Sequence, residues 1–177
     1  MIMDFILINH SEIDDNQLFK IANIKSQHWN HPVESQIAWI QKEYKKDDTH
    51  ILMMDNDALV GYVAVVQLSI VADGETYNTL GISCLCVDKE YLNKGYGLLM
   101  MEQALQFAKA NNKSICLLCK KKLVKFYEKC GYVVLCPKSI TVNQLNYEYE
   151  LMLYNDGKSG NKSSLRHAAN ISIDRNF

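Results

Sequence analysis

Arginine is almost missing from this sequence: the two arginines, Arg166 and Arg175, stand near its end, and the cations before them are lysines and histidines. Bidentate guanidinium clamps for carboxylate or phosphate are therefore excluded from the first 165 residues. Glycine and proline are also scarce, eight and two in 177 residues, which excludes collagen-like, proline-rich and linker-like chains. Charge of one sign is lacking as well. Nineteen basic residues face twenty acidic ones for a formal net of −1, so there is no cationic footprint for nucleic acid. The longest apolar run, Leu59 to Val66, is broken by Gly61 and falls far short of the roughly 20 residues that cross a bilayer. Neither nucleic acid nor a membrane is expected as a partner. What is present, 48% hydrophobic and 22% charged residues, suits one globular domain. A chain of this size buries about 70% of its unfolded surface and needs no metal or disulfide staple.

The opening Met1-Ile2-Met3-Asp4-Phe5-Ile6-Leu7-Ile8 carries an acid where a signal peptide carries lysine or arginine, and a cytoplasmic location is the expectation. The six cysteines, at 84, 86, 116, 119, 130 and 136, are then reduced thiols, mostly small hydrophobes in strands. Cys84-x-Cys86 and Cys116-x-x-Cys119 superficially offer four thiols to zinc. Within a strand, however, Cys116 and Cys119 face opposite sides, and no acid or thiol completes a set with His28 and His31. No metal is expected.

Hydrophobic periodicity places a strand over 2–9 and an amphipathic helix with Leu18, Phe19 and Ala22 that ends near Lys25. The polar and aromatic stretch Gln27-His28-Trp29-Asn30-His31 interrupts the pattern, and Pro32 starts a second helix running to about Lys46. Two strands, 50–54 and 59–68, flank the turn residues Asp55-Asn56-Asp57. A third strand, 79–87, puts Leu80, Ile82, Cys84 and Cys86 on one face. A helix over 95–110, a strand over 114–119, a helix over 122–130 and closing strands over 132–135 and 147–153 complete the order. The right-handed crossover rule makes strand 114–119 parallel to strand 79–87. Beyond Asn155 the composition turns to Gly, Ser, Asn and Lys, predicting a domain over 1–154 and a polar tail over 155–177.

The chemistry-bearing signal is Asn93-Lys94-Gly95-Tyr96-Gly97, between a strand end and a helix start. There, unpaired amides and the helix dipole can hold a phosphate, and glycine lets the backbone approach it. Alone, two glycines in a connection are also what a plain strand-to-helix turn contains. Thirty residues on comes Phe126-Tyr127-Glu128-Lys129-Cys130-Gly131-Tyr132, a helix end with a glycine stop and an aromatic strand. Together, the stretch from Ile82 to Tyr132 resembles the GNAT superfamily of acyl-CoA-dependent N-acetyltransferases, with Leu85 to Gly97 matching its pyrophosphate motif and Phe126 to Tyr132 its second motif. The resemblance implies an α/β fold with a central mixed, mostly antiparallel sheet of six to seven strands and about four helices packed on both faces. It implies acetyl-CoA as co-substrate, bound by backbone groups of Leu85, Cys86 and Val87, by the loop Leu92, Asn93, Lys94, Gly95, Tyr96 and Gly97, and by Lys120 and Phe126. It places Tyr127 where the family's proton donor to the departing thiolate stands; its other reading is a core aromatic. Three positions depart from the family. Leu92 replaces an Arg or Gln that contacts phosphate, Lys120 replaces an asparagine, and Gly81 stands where histone-type members carry a glutamate base.

Transfer of an acetyl group from a thioester to an amine needs a neutral amine, a polarised carbonyl and a proton for the thiolate. Direct attack in a ternary complex meets these needs. Cys84, Cys86 and Cys119 have no histidine near them in sequence to activate them as nucleophiles. The resemblance directs acceptor recognition to the turn between the first two helices and to the closing strands: His28, Trp29, His31, Glu34, Ser83 and Glu148. The expected acceptor is a primary amine of a small molecule, with carboxylates suited to a cationic one; Trp29 as core and the glutamates as a solvated face is the plainer alternative. A peptide or protein N-acetyltransferase and a non-catalytic acyl-CoA sensor remain the other readings. A homodimer through the closing strands or tail is a partner the sequence allows.

Overall fold

The computed structural model describes residues 3–143, 145–146, 148–154, 165 and 167–177. Tyr147 and residues 155–164, placed by the sequence in a closing strand and in the tail, lie outside the described residues. The chain is an α/β fold with a mixed, mostly antiparallel sheet and four α-helices of known bounds among the described residues. It forms two compact units: Met1–Val66 with Ser83–Gln106, and Gln67–Ile82 with Phe107–Phe177.

In the first unit, β1 (Asp4–Asn9) pairs antiparallel with β2 (Thr49–Asp55), which pairs antiparallel with the first part of β3 (Ala58–Ala72). The β2–β3 turn is a two-residue one, and Asn56 takes φ 52° there, the left-handed conformation that a tight hairpin requires. Helix α1 (Asp15–Ser26) opens with a reciprocal capping box: Asp14 Oδ1 accepts from the Gln17 amide at 2.7 Å, and Gln17 Oε1 accepts from the Asp14 amide at 3.0 Å. Its buried side, Leu18, Ile21, Ala22, Ile24 and Lys25, follows helical spacing and includes a lysine. Helix α2 (Val33–Glu43) follows Pro32 and stops three residues before the expected Lys46, because Tyr44 is extended and its amide closes on the Ile40 carbonyl. The end of β4 (Glu75–Val87) and most of α3 (Tyr96–Ala110) complete this unit.

In the second unit, β4 runs parallel to β5 (Ile115–Cys119), as the crossover rule requires. Strand β5 pairs antiparallel with β9 (Glu150–Tyr154), and β9 with β6 (Tyr132–Val134), which follows α4 (Val124–Lys129). Three strands exceed the expected set: β7 (Ser139–Val142), β8 (Leu145–Asn146) and β10 (Asn170–Ile173). The described sheet thus has ten strands where six to seven were expected. Strand β10 corrects the expectation that everything beyond 154 is a tail: it pairs antiparallel with β3 and parallel with β7. Its entry is held by Asp73, whose carboxylate accepts from the amides of Ala169 at 2.8 Å and Asn170 at 2.9 Å. Those bonds to the charged form lower the Asp73 pKa.

Candidate active site

The end of β4 departs from strand geometry where the sequence shows regular alternation. Cys84 has φ 54°, a conformation uncommon for a residue with a side chain. The departure separates two thiols that alternation puts on one face: Cys86 is buried at 4% exposure, with its thiol pKa pushed far up by that burial, whereas Cys84 is half-buried and lines a cavity. Ser83, just before it, is buried and shares a 3.1 Å hydrogen bond with the Tyr44 hydroxyl.

The cavity, about 360 Å³, is lined by residues of α1, of α2 and of the turn between them, and by Cys84. Its walls are Trp29 and Trp39, with His31, Ser35 and Gln36 around them. At its base is Lys25, only 2% exposed, whose Nζ donates to Cys84 Sγ at 3.2 Å and stands 3.8 Å from the centre of the Trp39 ring. Removal from water lowers the Lys25 pKa, against the opposing pull of the neighbouring thiols. Behind it, a polar cluster is fully engaged: His50 Nδ1 meets the Tyr62 hydroxyl at 2.8 Å, and His50 Nε2 meets His10 Nδ1 at 3.0 Å. Burial drives the His50 pKa from 6.5 to about 3, so this imidazole is neutral at ordinary pH.

The connection from β4 to α3 is bound to the end of α1. Gln27 Nε2 donates to Asp88 Oδ2 at 2.7 Å, Gln27 Oε1 accepts from the Lys89 amide at 3.0 Å, and Asp88 Oδ1 accepts from the Glu90 amide at 2.9 Å. His28 Nε2 donates to the Val87 carbonyl at 2.7 Å. The following loop exposes Leu92, Asn93, Lys94 and Gly95. Asn93 and Gly95 take φ 61° and 85°, and the space a Cβ at Gly95 would fill is open. The Gly95 carbonyl accepts from Leu98 at 3.0 Å, so the amides of Gly95, Tyr96 and Gly97 precede the helical ladder. Left-handed residues in such a turn gather amides into an anion-binding nest at the positive end of the helix dipole. Lys94 adds a charge, its Nζ lying 4.8 Å from the Tyr91 ring centre.

In the second unit, Tyr127 is buried on α4 with Phe126 edge-on at 5.0 Å between ring centres. Burial first, and then the thiols of Cys119 and Cys130, push its pKa up to about 12. Lys120 is exposed before the turn that leads into α4, and Glu148 is exposed. At Gly81 a Cβ would fall 2.5 Å from Leu68 Cδ1 and 2.6 Å from Phe177 Cδ2, so those side chains occupy the space where a carboxylate base would start.

Of the acceptor residues expected from sequence, Trp29 and His31 meet at the cavity. Ser83 is bonded to Tyr44 outside the lining, His28 is turned to Val87, and Glu34 is exposed on α2, also outside the lining. Lys25, Ser35, Gln36, Trp39 and Cys84 are the lining residues that sequence reasoning missed as ligand contacts. For Lys25 a signal existed: it falls seven residues after Leu18, on the apolar side of α1. Among the described residues no group of three His, Cys, Asp or Glu could hold a metal, and no helix is long and apolar enough to cross a membrane.

The profile of the acetyltransferase (GNAT) family matches residues 16–132. The chain belongs to this family. Solved structures share the fold at low identity. Escherichia coli ElaA superposes with a TM-score of 0.64 at 19% identity, over 87% of this chain and all of that one. An aminoglycoside 6′-N-acetyltransferase complexed with coenzyme A superposes with a TM-score of 0.59 at 14% identity, over 84% of this chain and 95% of that one. Among curated proteins, one from Amsacta moorei entomopoxvirus, named as a glycylpeptide N-tetradecanoyltransferase, is 22% identical over 150 residues. The match takes in 81% of this GNAT chain, which spans about half the length of that relative.

Proposed function

We propose that this GNAT protein transfers the acetyl group of acetyl-CoA to a primary amine of a small molecule by direct attack in a ternary complex. The observation that carries the reading is the pairing, in one unit, of the open amide nest at Asn93–Gly97 with a cavity walled by Cys84, immediately before Leu85–Val87. On this reading the nest and Lys94 hold the pyrophosphate. Backbone groups of Leu85, Cys86 and Val87 align the thioester, and an amine seated beside Trp29 and His31 attacks the carbonyl. The new N–C bond forms as the C–S bond breaks, the amine proton leaves to solvent, and the thiolate receives a proton. Tyr127 is the proposed donor, on its place in the family motif; with its pKa near 12 the phenol carries its proton at neutral pH. Backbone amides take the place of the side-chain phosphate contact that Leu92 lacks.

A peptide N-terminus as acceptor is the second reading, favoured by the name of the viral relative, a glycylpeptide N-tetradecanoyltransferase. Purified protein mixed with acetyl-CoA, a thiol reagent and either small amines or glycine-ended peptides separates the two. The first reading predicts coenzyme A release that depends on the small amine. Release with peptides alone supports the second, and no release above the acceptor-free background contradicts both.

A further inference from the structure

We infer that the Trp29–Trp39 cavity selects acceptors that carry a carboxylate, with Lys25 as the group that binds it. This deepens the acyl-transfer reading by naming the acceptor class, and for the reaction, though not for the binding, it rests on that reading. The inference departs from the cationic amine anticipated from Glu34 and Glu148, since neither glutamate is among the residues lining the cavity.

Three observations carry it. First, Lys25 is 2% exposed yet lines the cavity, and its partners are one thiol and two indole faces, at 3.8 Å for Trp39 and 5.6 Å for Trp29. No carboxylate pairs with it among the described residues, and its pKa is lowered by removal from water against the opposing pull of the thiols of Cys84 and Cys86. A buried ammonium with no counter-charge is costly, and a ligand anion within reach of Nζ relieves that cost with a charge-assisted hydrogen bond. Second, the lining carries no acidic side chain to attract a polycation; its other polar members, His31, Ser35 and Gln36, are neutral or cationic. Third, the indoles give the body of the ligand apolar walls, and a cavity of about 360 Å³ lies at the small end of the range for ligand pockets. The ligand chemistry is therefore a small amine bearing a carboxylate and an apolar side group.

Trp29 and Trp39 are the chain's two tryptophans, and both line the cavity, so intrinsic fluorescence reads binding without any cofactor. Leucine and phenylalanine are titrated into the intact protein beside their carboxamides, which keep the amine and lose the anion. The inference expects each carboxylate to bind at least tenfold more tightly than its amide, as loss of a charge-assisted bond implies. Lys25→Met, checked for its fold by circular dichroism, is expected to reduce that preference below twofold. Equal binding of acid and amide by the wild-type protein overturns the inference, as does no response to either, or a preference that survives in folded Lys25→Met. The wild-type comparison decides even if the variant does not fold. A separate coenzyme A titration isolates the other reading: carboxylate binding without coenzyme A binding supports the pocket assignment and contradicts acyl transfer.

Discussion

Two buried tyrosines show how differently the units handle polar groups. Tyr62, in the first unit, is fully buried, and its hydroxyl meets His50 at 2.8 Å within a cluster that continues to His10. Tyr132, in the second, is 1% exposed, and its hydroxyl has no hydrogen-bond partner among the described residues. One cysteine from each unit repeats the contrast. Cys84 is half-buried beside the Lys25 ammonium on a strained backbone, while Cys116 sits in β5 among apolar side chains, its pKa raised to about 12 by burial alone. Cys116 is packing material, as Cys86 is in the first unit, whereas the first unit also holds Lys25, His50 and Ser83 out of water, with Lys25 lining the cavity. Polar groups buried at such cost collect where a ligand has to be held.

The contrast is sharpest in thiol reactivity. With a pKa of about 12, Cys116 is thiolate in about one molecule in 10⁵ at neutral pH, and it has no access to reagent. Peptide mapping after brief alkylation of the native protein should show Cys84 modified and Cys116 intact until denaturant is added; equal labelling would erase the distinction. Next in size is Tyr127→Phe. If the phenol gives the thiolate its proton, turnover falls by about 10² or more while coenzyme A affinity changes less than twofold. Unchanged turnover would leave Tyr127 as a core aromatic.

His50 gives the first unit a pH signature. Its pKa falls from 6.5 in the unfolded chain to about 3 in the fold, so between those values the unfolded state binds more protons. Stability contributed by neutral His50 is complete above pH 6.5 and is lost as pH falls toward 3, by up to about 1.4 kcal/mol per pH unit. Urea titrations at several pH values should show a flatter acid limb for His50→Asn, and an identical limb would remove His50 from the account. The smallest effects come from the tyrosine pair. Tyr62→Phe takes a partner from His50 and is expected to cost about 1–3 kcal/mol. Tyr132→Phe removes an unpaired hydroxyl and should be neutral or stabilising by about 1 kcal/mol. Chemical denaturation of both variants compares them directly.

Periodicity and turn chemistry carried much of this fold into view. The β2–β3 hairpin was legible at Asn56-Asp57, α1 at Asp14 and its apolar stripe, and the turn into α3 at Gly95. Strands β7 and β10 were not, since Ser-Ile-Thr-Val and Asn-Ile-Ser-Ile are short and half polar, and β10 depends on two Asp73 bonds from nearly a hundred residues away. The site was half legible. Trp29 and His31 stood out as an aromatic interruption, but a positive φ at Cys84 leaves no trace in an alternating pattern. Lys25 sat at a core position of α1, a signal that its charge argued against; packing against Trp39 shows that it stays inside.

Isothermal titration of coenzyme A into the wild-type protein and Gly95→Val tests the central claim most directly. The open space at Gly95 lets the variant fold, at a conformational cost of about 1–2 kcal/mol for a side chain at φ 85°. The account predicts saturable heat with the wild type and at least tenfold weaker binding with the variant; no heat with the wild type, or equal affinity in both, would contradict it.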